Sequence, residues 1–154
     1  MKYLVTGGAG FIGSHIVQRL LEQGASVRVL DNFSTGRSEN LEALARQSNG
    51  DRFEVLEGDL RDAARVEEAV RGVEVIFHHG AFVSVPQSME EPQTCFDVNI
   101  TGTSRLLDAA RAAGVRRVVL ASSAAVYGES DALPLVEETL PQPLTPYAVS
   151  KRVK

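Results

Sequence analysis

The chain is poor in cysteine, in long apolar runs and in any excess of basic charge. Cys95 is its one cysteine, so no internal disulfide can form and thiol-pair redox chemistry is excluded. A small apolar core role is the reading for that thiol. No apolar run approaches the roughly 20 residues needed to span a bilayer. Met1-Lys2 leads straight into strand-like residues without a cleavable leader, which predicts a cytoplasmic protein away from membranes. The 16 basic residues are interspersed among 20 acidic ones, for a formal charge of -4. That balance offers no positive face to a phosphate backbone, and nucleic acid is not an expected partner. Proline is scarce outside one stretch: four of the six prolines crowd into "GESDALPLVEETLPQPLTP". A regular helix is impossible there, and a long loop is expected with Glu129, Asp131, Glu137 and Glu138 in solvent.

What remains is a core-forming sequence, 44% apolar over 154 residues, enough for one domain over 1–154. The β-branched or apolar runs "KYLVT", "SVRVLD", "RFEVLEGD", "VEVIFH" and "RRVVLASS" read as five strands covered on both faces. Between the first two, "FIGSHIVQRLLEQGA" sets Ile12, Ile16, Leu20 and Leu21 at helical spacing, and Gly24 marks its end. "NITGTSRLLDAARAAGV" repeats the pattern with Ile100, Thr103, Leu106, Leu107 and Ala110, closed by Gly114. Strand–helix alternation of this kind closes through right-handed crossovers. The predicted fold is therefore α/β, a Rossmann-type doubly wound parallel sheet of about five strands.

"TGGAGFIGSH" follows the first strand and opens the first helix. Gly7, Gly10 and Gly13 then fall where the chain turns, approaches a ligand and packs helix on sheet. Free amides and the helix dipole at that end suit a pyrophosphate, so the loop predicts dinucleotide binding. Asp31, closing "VRVLD", can accept from both hydroxyls of a ribose and repels a 2′-phosphate, which favours NAD over NADP. Arg37 either softens that preference or is an ordinary surface arginine. Asp59 is read either as a partner for the adenine amino group or as the N-cap of "LRDAARVEEAV". The adjacent His78 and His79 point to opposite faces of a strand and cannot chelate one ion, so no metal is expected.

In order along the chain, "TGGAGFIGSH", "DNFSTGR", "EGDLRD", "FHHGAFVSVPQS", "DVNITGT", "ASSAAVYGE" and "TPYAVSK" resemble the extended short-chain dehydrogenase/reductase family. The likeness is strongest to its NAD-dependent nucleotide-sugar epimerases and dehydratases. Carried over by position, the resemblance implies a pyrophosphate loop at Gly7, Gly10, Phe11, Ile12 and Gly13. It implies a ribose site at Asp31 and Asn32, an adenine site at Asp59 and Leu60, and further cofactor contacts at Gly80, Ala81 and Asn99. Ser123, Tyr147 and Lys151 fall on the catalytic serine, tyrosine and lysine, the last two also touching cofactor. Gly80 departs from the family's usual His-x-Ala-Ala and is expected to loosen the backbone there. Members of the family continue past the tyrosine helix with more strands and a C-terminal substrate domain. The resemblance thus implies such a continuation beyond Lys154, and a homodimer contact using the helix that ends at Ala113. With barely one turn of helix after Tyr147, fraying at Lys151 is expected.

In the family, the lysine holds the nicotinamide ribose and stabilises a tyrosinate, which takes a proton from a sugar hydroxyl that the serine positions. Dehydratases and decarboxylases place acidic residues just after the serine; here those positions are Ala124 and Ala125. The resemblance therefore implies 4-epimerisation of a UDP-glucose/UDP-galactose type of nucleotide sugar through a 4-keto intermediate. The alternatives are a nucleotide-sugar dehydratase or reductase, and a non-catalytic NAD-binding module. Ser84 in "SVPQS" either faces the sugar or caps a loop.

Overall fold

A computed structural model describes residues 1–47, 50–130 and 133–153. Five parallel strands form one sheet: β1 (Lys2–Thr6), β2 (Ser26–Asp31), β3 (Phe53–Glu57), β4 (Val75–His78) and β5 (Arg117–Leu120), in the order β3-β2-β1-β4-β5. Every expected strand is present. Helices α1 (Phe11–Glu22), α2 (Glu39–Gln47) and α3 (Ala63–Val70) follow β1, β2 and β3. The connection from β4 to β5 holds α4 (Val85–Glu90), α5 (Pro92–Phe96) and α6 (Gly102–Ala112), and α7 (Pro146–Arg152) closes the described chain.

Alternation along the central strands feeds two cores. Leu4, Leu30 and Ile76 face α3 and α6, while Val5, Val29 and Phe77 face α1 and α2. Coverage on both faces holds for β1, β2 and β4 only. In the outer strands Val55 is 42% exposed and Val119 40% exposed, because an edge strand has a neighbour on one side alone.

The expected stripe of the first helix is displaced by one position. Gly13, Ser14, Val17 and Leu20 are its buried residues, whereas Ile12 is 59% exposed. The glycine at position 13 lets the helix lie close to the β1 loop, and that contact, more than side-chain size, sets its rotation. Leu107 likewise turns out of its stripe, 39% exposed, with Leu106 and Ala110 inside. Gly24 and Gly114 do end their helices, at φ +79 and +74, a conformation that glycine adopts without a Cβ clash.

Helices α4 and α5 were not foreseen. Ser84 caps α4 by accepting from the Gln87 amide at 3.2 Å, and prolines open both helices. From Pro92 to Ala112 the chain stays helical, widening into a single π turn at Asp97–Thr101. Arg28 braces the sheet from within. Its guanidinium donates to the carbonyls of Glu68, Ala69 and Arg71 at the end of α3, at 3.0, 2.8 and 3.0 Å, and to Glu54 at 2.9 Å. Cys95 is fully buried, as its reading required.

Candidate functional site

The strand order reverses between β1 and β4, and a cleft opens at the strands' C-terminal ends, where doubly wound sheets bind ligands. Its volume is about 590 Å³. Gly7, Gly10, Phe11, Ile12 and Gly13 line it, with Asp31, Asn32, Asp59, Leu60, Gly80, Ala81 and Ser84. Twelve residues singled out from sequence thus share one cavity. His79 lines it as well, while His78 is buried behind it, so the two rings do face apart.

The loop's shape depends on missing side chains. A Cβ on Gly7, which has φ +69, would stand 2.6 Å from the Gly80 amide nitrogen, and one on Gly13 would stand 2.1 Å from the Gly7 carbonyl oxygen. Helix α1 has Gly10 at its N-cap position, with no side-chain cap and no acidic residue in its first turn. Asp62, Ser84 and Thr145, by contrast, cap α3, α4 and α7. The α1 amides therefore face the cleft without a side-chain acceptor, as an anion site needs. This cradle fits the pyrophosphate of a dinucleotide.

Asp31 is 8% exposed and already holds two amides. One oxygen accepts from Ala9 and the other from Phe33, both at 2.9 Å, which ties the glycine loop to the end of β2. Each oxygen keeps one lone pair for a ribose hydroxyl. Arg37 does not line the cleft and is exposed.

Asp59 is not a helix N-cap; Asp62 caps α3, accepting from Ala64 and Arg65. The Asp59 carboxylate is instead saturated. Oδ1 accepts from the Arg61 amide and Nε at 2.8 and 2.9 Å, and Oδ2 accepts from Arg61 Nη2 and Asn32 Nδ2 at 2.7 and 2.9 Å. The hydrogen bonds from Arg61 hold the carboxyl far below its ordinary range, and Asp59 raises Arg61 in turn. An adenine amino group would have to displace one of these donors, since four acceptor positions are already filled.

Asn99, Ser123, Tyr147 and Lys151 do not line this cleft. They form a second group beside it, around α7. Lys151 Nζ lies 5.7 Å from the Tyr147 ring centroid, as four-residue spacing on a helix requires, and donates to the Ala121 carbonyl at 3.3 Å. Ser122 Oγ donates to the Lys151 carbonyl at 3.1 Å. Lys151 is 4% exposed, so the expected fraying is absent: contacts to the 121–123 segment hold the end of α7. Ser123 Oγ accepts from the Ala125 amide at 3.2 Å, capping the turn Ala124–Tyr127.

Asn99 joins the two groups. Its side chain accepts from the Phe82 amide at 2.8 Å and donates to the Phe82 carbonyl at 3.0 Å and to Ser150 Oγ at 2.9 Å. Phe82 lines the cleft and Ser150 lies on α7. Sequence reasoning missed Ser34, Thr35 and Gly36 as lining residues, although they stand in the "DNFSTGR" stretch. It also missed Ser88, whose Oγ accepts from the Tyr147 amide at 3.2 Å. Of the loop's acidic residues, Glu129, Glu137 and Glu138 lie in the segment described on either side of the gap. Glu129, Glu137 and Glu138 are exposed, as expected, while Asp131 lies outside the described residues. Among the described residues no cluster of three or more His, Cys, Asp or Glu is arranged to hold a metal. No helix among them is long and apolar enough to cross a membrane.

Sheet order, glycine cradle and cleft together define a dinucleotide-binding α/β domain of the short-chain dehydrogenase/reductase type. The family model described as GDP-mannose 4,6 dehydratase matches residues 4–154, and the chain belongs to that family. It is 46% identical over 153 residues to a UDP-glucose 4-epimerase of Mycolicibacterium smegmatis, covering 98% of this chain and 48% of that one. Among solved structures, a Thermus thermophilus UDP-glucose 4-epimerase in complex with NAD superposes with a TM-score of 0.88. It is 43% identical, covering 99% of this chain and 48% of that one. A dTDP-glucose 4,6-dehydratase from Streptomyces venezuelae with NAD and TYD bound has a TM-score of 0.90 at 39% identity, with 99% and 48% covered. The chain spans about half the length of the curated relatives it matches first.

Proposed function

We propose that this chain is the cofactor-binding and catalytic half of an NAD-dependent nucleotide-sugar 4-epimerase acting on a UDP-glucose/UDP-galactose type of substrate. The observation that carries the reading is the Ser123-Ala124-Ala125 turn beside the Tyr147–Lys151 pair. It offers a base, a positioning hydroxyl and a cation, with no carboxylate next to the serine to drive elimination. The relatives named above as UDP-glucose 4-epimerases support it.

In this reading the α1 amides and Gly7, Gly10, Phe11, Ile12 and Gly13 hold the pyrophosphate of NAD. Asp31 and Asn32 hold its adenosine ribose, Asp59 and Leu60 flank adenine, and Gly80 and Ala81 border the remainder, while Asn99, expected at the cofactor, instead holds Phe82 of the cleft wall from behind. NAD, when bound, supplies reversible hydride acceptance. The phenolic oxygen of Tyr147 takes the proton of the sugar 4-hydroxyl and later returns it. Lys151 stabilises the phenolate form in which that oxygen acts as the base, and Ser123 orients the hydroxyl. Ser84 accepts in the α4 cap and keeps its hydroxyl hydrogen to face the sugar. We infer also a cytoplasmic enzyme, a C-terminal substrate-binding part in the whole protein, and no role for nucleic acid or membrane. A homodimer contact is inferred across the groove of about 500 Å³ where Ala63 and Val66 of α3 face Ala109 and Ala112 of α6.

The test is to supply the full-length protein with NAD and UDP-galactose and follow UDP-glucose formation. Loss of water from the sugar would assign it to the dehydratases. NAD binding without any sugar-nucleotide turnover by the full-length protein would leave a binding module.

A further inference from the structure

His78 is fully buried at the end of β4 and has no part in the chemistry above. Its Nδ1 lies 2.7 Å from Thr6 Oγ1 and its Nε2 lies 2.9 Å from Thr103 Oγ1. Thr103 Oγ1 is also 2.6 Å from the Asn99 carbonyl oxygen, which only accepts, so the threonine's single hydrogen points there. Nε2 must then carry a hydrogen and donate to Thr103. Nδ1, unprotonated in the neutral ring, accepts from Thr6, whose oxygen in turn accepts from the Gly80 amide at 3.0 Å.

Asn99 carries the connection onward through its side chain, by separate bonds. Its side-chain amide donates to Ser150 Oγ, and Ser150 donates to the Tyr147 carbonyl at 2.7 Å. Thr6, His78, Asn99 and Ser150 are all 0% exposed, and Thr103 is 4% exposed. One hydrogen assignment satisfies the whole chain, from the cleft wall at Gly80 to the helix bearing Tyr147. The opposite tautomer would set the lone pairs of Thr103 and the Asn99 carbonyl against each other.

We propose that His78, as the neutral Nε2–H tautomer, is a positioning residue that sets the direction of a buried hydrogen-bond chain from the cleft wall at Gly80 to the backbone carbonyl of Asn99, the residue whose side chain reaches the Tyr147 helix. It rests on the proposed cofactor reading only for its link to binding. The π turn at Asp97–Thr101 fits this role, since such turns re-aim side chains and carbonyls at working sites. The ring touches neither cleft nor substrate; it acts through Asn99, which grips both the amide and the carbonyl of Phe82.

Long-range proton–nitrogen NMR of the chain labelled at its three histidines, with His78→Gln for assignment, reads the tautomer directly. A protonated Nε2 with an acceptor-type Nδ1 is expected; a protonated Nδ1, or an imidazolium near neutral pH, overturns the proposal. Thr103→Val then removes the acceptor of Nε2–H. NAD affinity is expected to fall about tenfold, with faster amide exchange at Ala148 and Val149 in α7 and recovery of both in Thr103→Ser. A Thr103→Val protein with a lower melting temperature but unchanged affinity and α7 exchange would reduce the chain to packing and overturn it. Should that variant not fold, the tautomer and Thr103→Ser still decide. Wild-type chain that bound no NAD would sink the proposed function, whereas tautomer and exchange in the coenzyme-free chain judge this inference independently.

Discussion

A single methyl group decides whether the cleft can form. On Gly13 it would meet the Gly7 carbonyl at 2.1 Å, a clash with backbone atoms that no rotamer relieves. Gly13→Ala is therefore expected to abolish NAD binding in calorimetry, through displacement of α1 from the β1 loop. Tyr147→Phe tests the other group. The ring and its 5.7 Å relation to Lys151 survive, so on the proposed reading NAD affinity should stay within about threefold while 4-epimerisation by the full-length protein drops by roughly a hundredfold or more, the loss of the proposed general base. Arg28→Met removes the donor to three α3 carbonyls and to Glu54. Urea unfolding should show a loss of about 2–4 kcal/mol, the scale for stranding buried acceptors and breaking a half-buried ion pair.

At the scale of elements, local patterns were legible and long-range contacts were not. The strands could be read because short apolar runs bounded by glycines and charges have few other fates. The glycine loop could be read because strand, glycines and helix are contiguous. Helices α4 and α5 were hidden by brevity and by prolines, which look like breakers when they in fact open a first turn. The face of α1 was misjudged because Gly13 buries itself by closeness and leaves Ile12 outside. The Thr6–His78–Thr103–Asn99 chain joins residues up to 72 apart, which no window of sequence brings together. Helix α7 is short enough that its cap matters: Thr145 accepts from Ala148 at 3.1 Å. Thr145→Ala is expected to cost about 1 kcal/mol and to speed hydrogen exchange at the Ala148 amide, with α2 unaffected.

For the whole molecule, two carboxylates lowered in the folded state contribute to the response to acid. Burial alone would raise Glu54 above its ordinary value of 4.5, but hydrogen bonds and charge from Arg28 and Lys2 outweigh it and lower it. Asp59 is lowered from 3.8 by Arg61, with its backbone amide and Asn32 adding to the effect. A carboxylate depressed in the folded state contributes stability above its unfolded value and loses it as pH falls toward the folded one. Urea midpoints should accordingly be insensitive to these two groups above about pH 5 and decline below about 4.5. Replacing both, as Glu54→Gln with Asp59→Asn, should flatten that acid limb.

Asp31 carries two duties in one carboxylate. It anchors Ala9 and Phe33 before any coenzyme arrives, and in the proposed reading it also selects against a phosphorylated ribose. Retuning such an enzyme toward NADP at this position is thus an architectural change as much as an electrostatic one. A smaller neutral side chain there would admit the extra phosphate only by cutting the mooring of the loop meant to receive it.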